Sequence, residues 1–317
     1  MADVGSKLKI LITGGAGFLG SHIVDYLVKE NHFVIVLDNL LTGDTKNIET
    51  HIENKNVLFI NHDVQHHIDI VEDIDIVLHL ASAASPKAYT QFPINTLKAG
   101  SIGTINTLGL AKNKNSKYLI TSTSEIYGNP QESPQKETYW GNVNPIGPRS
   151  MYDEAKRFSE ACVTSFHNIH NVNTRIVRLF NTYGPRMKLN DGRVVTNFIY
   201  QALKNKNITI YGDGTQTRSF CFVSDTVEGI IKSLNSNSGE VFNIGNPQEI
   251  TVNELAEIIK KLTNSDSKIE FKELPIDDPL KRKPDISKAK KILDWQPKVS
   301  LEDGLQETVK WVNSQIS

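Results

Sequence analysis

The chain has 317 residues, with 35 Lys and Arg against 36 Asp and Glu and a net charge of −1. Charges that nearly cancel give no electrostatic case for nucleic acid or an anionic membrane surface, so a small-molecule partner is expected. Two cysteines, Cys162 and Cys221, cannot build a disulfide framework. No stretch approaches membrane-spanning length and no charged-then-apolar leader opens the chain, so a soluble, cytoplasmic protein is expected.

The first element is a short apolar run, Leu8 and Ile10 to Ile12, that breaks into Gly14, Gly17 and Gly20. Ile23, Val24, Leu27 and Val28 then fall on one helical face. Strand, glycine turn and helix in that order let backbone N–H groups approach a pyrophosphate at a helix N-terminus. A second apolar run, residues 33–37, ends in Asp38. A carboxylate there accepts ribose hydroxyls and repels a 2′-phosphate, which favours NAD over NADP.

Further apolar runs at residues 57–60, 76–80, 118–120 and 175–180 each end in polar loops, with helical stretches at 95–112 and 151–170 between them. Strands alternating with helices predict an α/β fold: a Rossmann-type doubly wound parallel sheet with ligands at the carboxyl ends of its strands. After residue 185 the pattern loosens, with a helical segment at 194–203, a loop at 211–218, a strand returning at 240–244, and helices at 251–262 and 301–312. The expected division is a cofactor domain over 1–185, rejoined by 219–245, and a smaller substrate region made of 186–218 and 246–317.

Tyr152 and Lys156 stand at i and i+4, neighbours on one helix face. A nearby ammonium, helped by a nicotinamide cation, is expected to lower the phenol's pKa, so that it can take a proton from an alcohol as hydride leaves the same carbon. Tyr200 and Lys204 share that spacing without an upstream partner and are expected to be coincidental. The strand before residue 152 ends in Thr123, Ser124 and Glu125, hydroxyls and a carboxylate where a substrate hydroxyl would lie. His62, His66 and His67 cluster without ligand spacing, so no metal is expected. Cys162 reads as a small buried hydrophobe and Trp295 as a packing anchor.

These segments together resemble the extended short-chain dehydrogenase/reductase superfamily and, within it, the UDP-glucuronate decarboxylases, also called UDP-xylose synthases. The likeness is carried by the glycine turn, Asp63-Val64, residues 79–82, 121–128, 139–141 and 144–149, Tyr152/Lys156, and residues 178–185, 190–195, 214–218 and 278–285. It implies NAD contacts from Gly14, Gly17, Phe18, Leu19, Gly20, Asp38, Asn39, Thr42, Asp63, Val64, Leu80, Ala81, Ser82, Tyr152, Lys156 and Thr182. It implies a UDP-sugar held by Asn181, Arg193, Tyr211 and Gln216, with Arg218 and Arg282 as diphosphate or carboxylate clamps. Tyr152 is then the base, Lys156 its partner, Thr123 a donor to the developing enolate, Ser124 an orienting group, and Glu125, or a water it holds, the control on C5 protonation. A homodimer through the helices at 97–112 and 151–170 is also implied.

Nucleoside-diphosphoglucose 4,6-dehydratases carry Asp-Glu at the places of Ser124 and Glu125, and UDP-hexose 4-epimerases usually lack the carboxylate at 125. Both stay open as alternatives, as does an NAD-sensing scaffold on the same fold. Three departures from the family pattern stand out: Ala83 in place of a proline, Gly100 where an asparagine is common, and a longer 65–74 segment.

Overall fold

A computed structural model of the chain describes residues 7–189, 191–274 and 282–316. Asn190 and residues 278–281, which belong to two of the family-like segments, lie outside the described residues. Seven described strands form one parallel sheet: β1 (Lys9–Thr13), β2 (Phe33–Asp38), β3 (Val57–Asn61), β4 (Ile76–His79), β5 (Lys117–Thr123), β6 (Thr174–Leu179) and β7 (Glu240–Ile244). Their spatial order is β3-β2-β1-β4-β5-β6-β7. Ile10 pairs with Val34 on one side and Ile76 on the other, so the strand order reverses at β1. That reversal opens a crevice at the carboxyl ends of β1 and β4.

The apolar runs are continuous because both faces of the sheet are buried. Ile10, Ile12, Val34, Val36, Leu78 and Val177 join one core cluster. Their strand neighbours Leu11, Ile35, Leu37, Val77, Ile120 and Ile176 join the other. The period-2 alternation of a strand accounts for the split.

The glycine turn leads into the Phe18–Lys29 helix, which buries Ile23, Val24 and Leu27. Two glycines there have no substitute. Gly14 has φ +74°, and a Cβ on Gly20 would lie 2.2 Å from the Gly14 carbonyl oxygen. Across the sheet, the 21-residue Ser150–His170 helix buries Tyr152, Asp153, Ala155, Lys156, Ser159 and Val163 along one face and ends at Asn171 in the left-handed region.

The single helix expected over 95–112 is instead a Pro93–Lys98 helix, a π turn at Ala99–Gly103 and a Thr104–Lys114 helix. The reason is crowding. A Cβ on Gly100 would lie 2.7 Å from that of Ala155, and one on Gly103 2.7 Å from a Val64 methyl. The wider turn leaves the Gly100 carbonyl to accept from the Ser159 and Thr104 hydroxyls at 2.6 and 2.8 Å. π turns of this kind recur beside functional sites.

Beyond residue 186, helices Val194–Leu203, Val252–Thr263 and Leu301–Ile316 pack together over short strand pairs, 208–211 with 269–272 and 217–219 with 249–251. The Val223–Ser233 helix and β7 return to the main sheet. Trp295 is buried, with its indole N–H donating to the Asp225 carbonyl at 2.9 Å.

Candidate active site

A cleft of about 1280 Å³ runs over the carboxyl ends of the strands. That exceeds the roughly 300–1,000 Å³ of a single-ligand pocket and suits two ligands lying end to end. All three glycines of the turn line it, as do Phe18, Leu19, Asp38, Asn39, Thr42, Asp63, Val64, Leu80, Ala81, Ser82 and Thr182. So do Thr123, Ser124, Glu125, Tyr152, Lys156, Asn181, Arg193, Tyr211, Gln216, Arg218 and Arg282. Tyr200 and Lys204 are not among its walls.

At one end the helix N-cap is Gly17, which has no side chain to bond the first-turn amides. Those amides and the positive end of the helix are suited to a diphosphate. Asp38 accepts Ala16 N–H at 3.0 Å on one carboxylate oxygen and Leu40 N–H at 2.9 Å on the other. A carboxylate has about four acceptor sites, so both ribose-facing capacity and loop anchoring fit one residue. Asn39 donates to Asp63 at 2.9 Å, joining the two loops that follow β2 and β3. These residues fit a dinucleotide without a 2′-phosphate.

In the middle of the cleft Tyr152 and Thr123 both line the wall, with Thr123 near enough to lower the phenol's pKa. Lys156 donates to the Thr121 carbonyl at 2.7 Å, and its Nζ stands 6.0 Å from the Tyr152 ring centre. The lysine-driven lowering of the phenol pKa expected above is not what this environment produces. Burial raises the Tyr152 pKa, the Glu125 charge raises it further, and Thr123 and Arg193 oppose them only in part. Lys156 itself is pulled down to about 8 by burial, against the raising influence of Glu160. Behind it, Thr13 bonds His79 at 2.8 Å and His79 reaches Thr104 at 3.3 Å. Burial, with Lys156 nearby, holds His79 neutral, with its pKa near 3.

Glu125 sits on the short turn Ser124–Tyr127 that follows β5. Arg282 donates to one of its oxygens at 2.9 Å and Arg149 to the other. Burial alone would neutralise the acid, but the two guanidiniums, Arg282 first, outweigh it and hold Glu125 below the usual carboxylate range. Asp153 hydrogen-bonds Glu125 from the other side, and burial plus the Glu125 charge push its pKa well above that range. Two guanidiniums and two carboxyl groups thus meet beside Tyr152, with the proton favoured on Asp153.

Sequence reasoning missed Arg149 and Asp153. The signal for Asp153 was present: it lies on the helix face defined by residues 152, 155, 156, 159 and 163, where a solvated acid is out of place. Below the cluster, Ser122 donates to Glu160 at 2.5 Å, Glu160 pairs with Arg178 at 2.7 Å, and Arg178 donates to the Tyr127 hydroxyl at 2.9 Å. Tyr127 in turn donates to Asn243 at 2.8 Å. Asn243 donates to the carbonyls of Gln135 and Asp285 at 3.0 and 3.2 Å, which ties the segment carrying Arg282 to the floor.

In the wider half of the cleft, Arg193 donates to the Ala84 carbonyl at 3.2 Å and pairs with Asp191 at 3.3 Å. Gln216 donates to the Tyr211 carbonyl, and Asn181 to that of Ser219 at 3.3 Å. Among the described residues there is no group of three His, Cys, Asp or Glu placed to hold a metal ion.

The family model of GDP-mannose 4,6 dehydratase matches residues 11–308. UDP-glucuronic acid decarboxylase 4 of Arabidopsis thaliana is 51% identical over 303 residues, 96% of this chain and 68% of the plant protein. Among solved structures, UDP-glucose 4-epimerase of Thermotoga maritima with UDP-glucose superposes with a TM-score of 0.90 at 32% identity, covering 98% of this chain and 100% of that one. UDP-glucuronic acid 4-epimerase of Bacillus cereus, in complex with UDP-glucuronic acid and NAD, gives 0.87 at 29% identity, with 97% and 100% covered.

Proposed function

The chain belongs to the UDP-glucuronic acid decarboxylases of the extended short-chain dehydrogenase/reductase superfamily, and from that premise we propose how its residues turn UDP-glucuronate into UDP-xylose and carbon dioxide. It is an NAD-dependent carboxy-lyase. The observation that carries the substrate assignment is the charge cluster beside Tyr152. Arg149 and Arg282 both donate to Glu125 there, and planar guanidiniums at that point suit a sugar that brings a carboxylate of its own.

Tyr152 takes the proton of the C4 hydroxyl, and the positive charge of a bound nicotinamide would offset the burial that otherwise raises the phenol's pKa. NAD held by the glycine turn and Asp38 would supply a reversible hydride acceptor for C4. A C4 ketone makes the C6 carboxylate that of a β-keto acid, so carbon dioxide leaves and the charge collects on the C4 oxygen. Thr123 and Tyr152 donate to that oxygen. Glu125 governs delivery of a proton to C5, Ser124 orients the ring, and Tyr152 gives its proton back as C4 becomes an alcohol again. Ser124 is too weak an acid to expel a C6 hydroxyl, which separates this site from a dehydratase.

The region over 186–218 and 246–317 takes the uridine diphosphate through Arg193, Tyr211, Gln216 and Arg218, with Asn181 at the sugar. The glycine turn and the loops at 38–42, 63–64 and 80–82 take the dinucleotide. A cytoplasmic home is supported by two free thiols, Cys162 and Cys221. A homodimer is supported by Leu97, Ile102, Ile105 and Phe158, which are exposed on the helices around the π turn and on the Ser150–His170 helix packed beside it.

Proton NMR of the product made from UDP-glucuronate without added NADH tests the reading, because it reports carbon dioxide loss and cofactor recycling together. UDP-xylose is expected. UDP-galacturonate in its place, or turnover of UDP-glucose or dTDP-glucose with no carbon dioxide released, would refute it.

A further inference from the structure

Loss of carbon dioxide from a carboxylate consumes one proton for each molecule released. The proton that Tyr152 takes from the C4 hydroxyl returns to that oxygen, so it cannot be the one that ends on C5. The site must draw a separate proton from solvent every turnover, and Glu125, clamped as a carboxylate by Arg149 and Arg282, has none to give.

Asp153 is the buried acid that the mechanism leaves unused. Its residue is 7% exposed, it hydrogen-bonds Glu125, and its Oδ1 has no partner. Glu125 faces it from the Ser124–Tyr127 turn, Arg149 from the loop ahead of the helix, Arg282 from the segment that crosses the floor, Tyr89 from the Pro86–Gln91 helix and Tyr152 from its own helix. Two carboxyl groups in contact cannot both ionise easily, and with both guanidiniums hydrogen-bonded to Glu125 the proton stays on Asp153.

We propose that Asp153 is the proton store of this site, passing its proton across the shared hydrogen bond to Glu125, which delivers it to C5, and refilling from solvent water once per turnover. A substrate carboxylate drawing on the same two guanidiniums weakens their hold on Glu125 and lets the proton cross. In the step itself the Asp153 O–H bond breaks as a Glu125 O–H bond forms, that bond then breaks as the enolate electron pair forms the C5–H bond, and both groups are left as carboxylates until water returns one proton to Asp153. The inference rests on the decarboxylase reading.

The test is Asp153→Asn, which keeps size and a hydrogen bond but holds no acidic proton. Stopped-flow absorbance of the NAD-loaded enzyme with UDP-glucuronate should show carbon dioxide released in the first turnover while reduced cofactor persists, because C5 must be protonated before the ketone is reduced. Steady-state kcat should fall about 10²-fold with KM little changed. The wild-type kcat should decline on the alkaline side as the stored proton is lost, and this limb should vanish in Asp153→Asn and return in Asp153→Glu. An Asp153→Asn enzyme that keeps the wild-type limb, or an Asp153→Glu enzyme no better than it, overturns the proposal. Should the asparagine variant fail to melt cooperatively, the wild-type profile decides: a flat kcat from neutrality to about pH 9 is equally fatal. A wild-type enzyme that releases no carbon dioxide removes the decarboxylase reading instead, which the same assay reports separately.

Discussion

Gly100→Ala tests how the fold sets the position of Tyr152. A Cβ at residue 100 would lie 2.7 Å from the Ala155 Cβ and 3.0 Å from the Ala155 carbonyl oxygen. Carbon atoms prefer about 3.5–4.0 Å, so the Ser150–His170 helix must withdraw by roughly 1 Å. Overpacking of this size costs about 1–3 kcal/mol, and alanine's advantage over glycine in a helical turn returns roughly 0.5–1 kcal/mol. The net loss, roughly 0–2.5 kcal/mol, should lower Tm by about 2–4 °C per kcal/mol. Activity should suffer more than stability, because Ala155 lies between Tyr152 and Lys156 and a displacement near 1 Å costs about 10² in rate. Calorimetry and kcat on Gly100→Ala, Ala155→Gly and the double variant measure both. Removing the Ala155 methyl leaves only the carbonyl contact, so the double variant should recover kcat relative to Gly100→Ala. A Gly100→Ala enzyme with unchanged Tm and a kcat within about twofold of wild type would refute this account of the π turn.

Tyr152→Phe should lower kcat by about 10²–10⁴-fold while titrations with NAD and UDP still show binding. Asp38→Ala removes the acceptor for two backbone amides, so NAD affinity should fall, read by calorimetric titration, and the loop around Leu40 should lose hydrogen-exchange protection. The pKa of His79 falls from 6.5 to about 3 on folding, chiefly by burial. The unfolded chain then binds the extra proton, and stability is lost as pH falls from 6.5 toward 3, by up to about 1.4 kcal/mol per pH unit. His79→Gln should flatten that slope in urea titrations run across the window. Phe158→Glu combined with Ile105→Glu should convert a dimer to monomers in sedimentation equilibrium, and unchanged mass would reject the proposed interface.

The central sheet was legible because burial on both faces turns each strand into an uninterrupted apolar run. The glycine turn was legible because only glycine fits at residues 14 and 20. The π turn was not, since Ala99 to Gly103 reads as ordinary helix until Ala155 stands against it. The helices opened by Pro86 and Pro93 do carry a local start signal, a proline in the first turn. The pairs 208–211 with 269–272 and 217–219 with 249–251 involve strands of four and three residues, too short for a period to show. Their partners also lie dozens of residues away in the chain.

The cleft's electrostatics are the part that sequence spacing misjudges, and the reason is geometric. An i, i+4 relation brings Cβ atoms near each other, but it does not say where a long side chain ends. Lys156 spends its ammonium on the Thr121 carbonyl, so burial and Glu125 govern Tyr152 instead. Glu125 and Arg282 are separated by 157 positions and meet at 2.9 Å only because Gln135 and Asn243 hold the segment 282–285 against the floor. A buried carboxylate with two guanidiniums and a neutral acid beside it is stable only if every member is present, since removing one partner leaves a charge without compensation. The charges are thus set by long-range packing that no local spacing in the sequence announces.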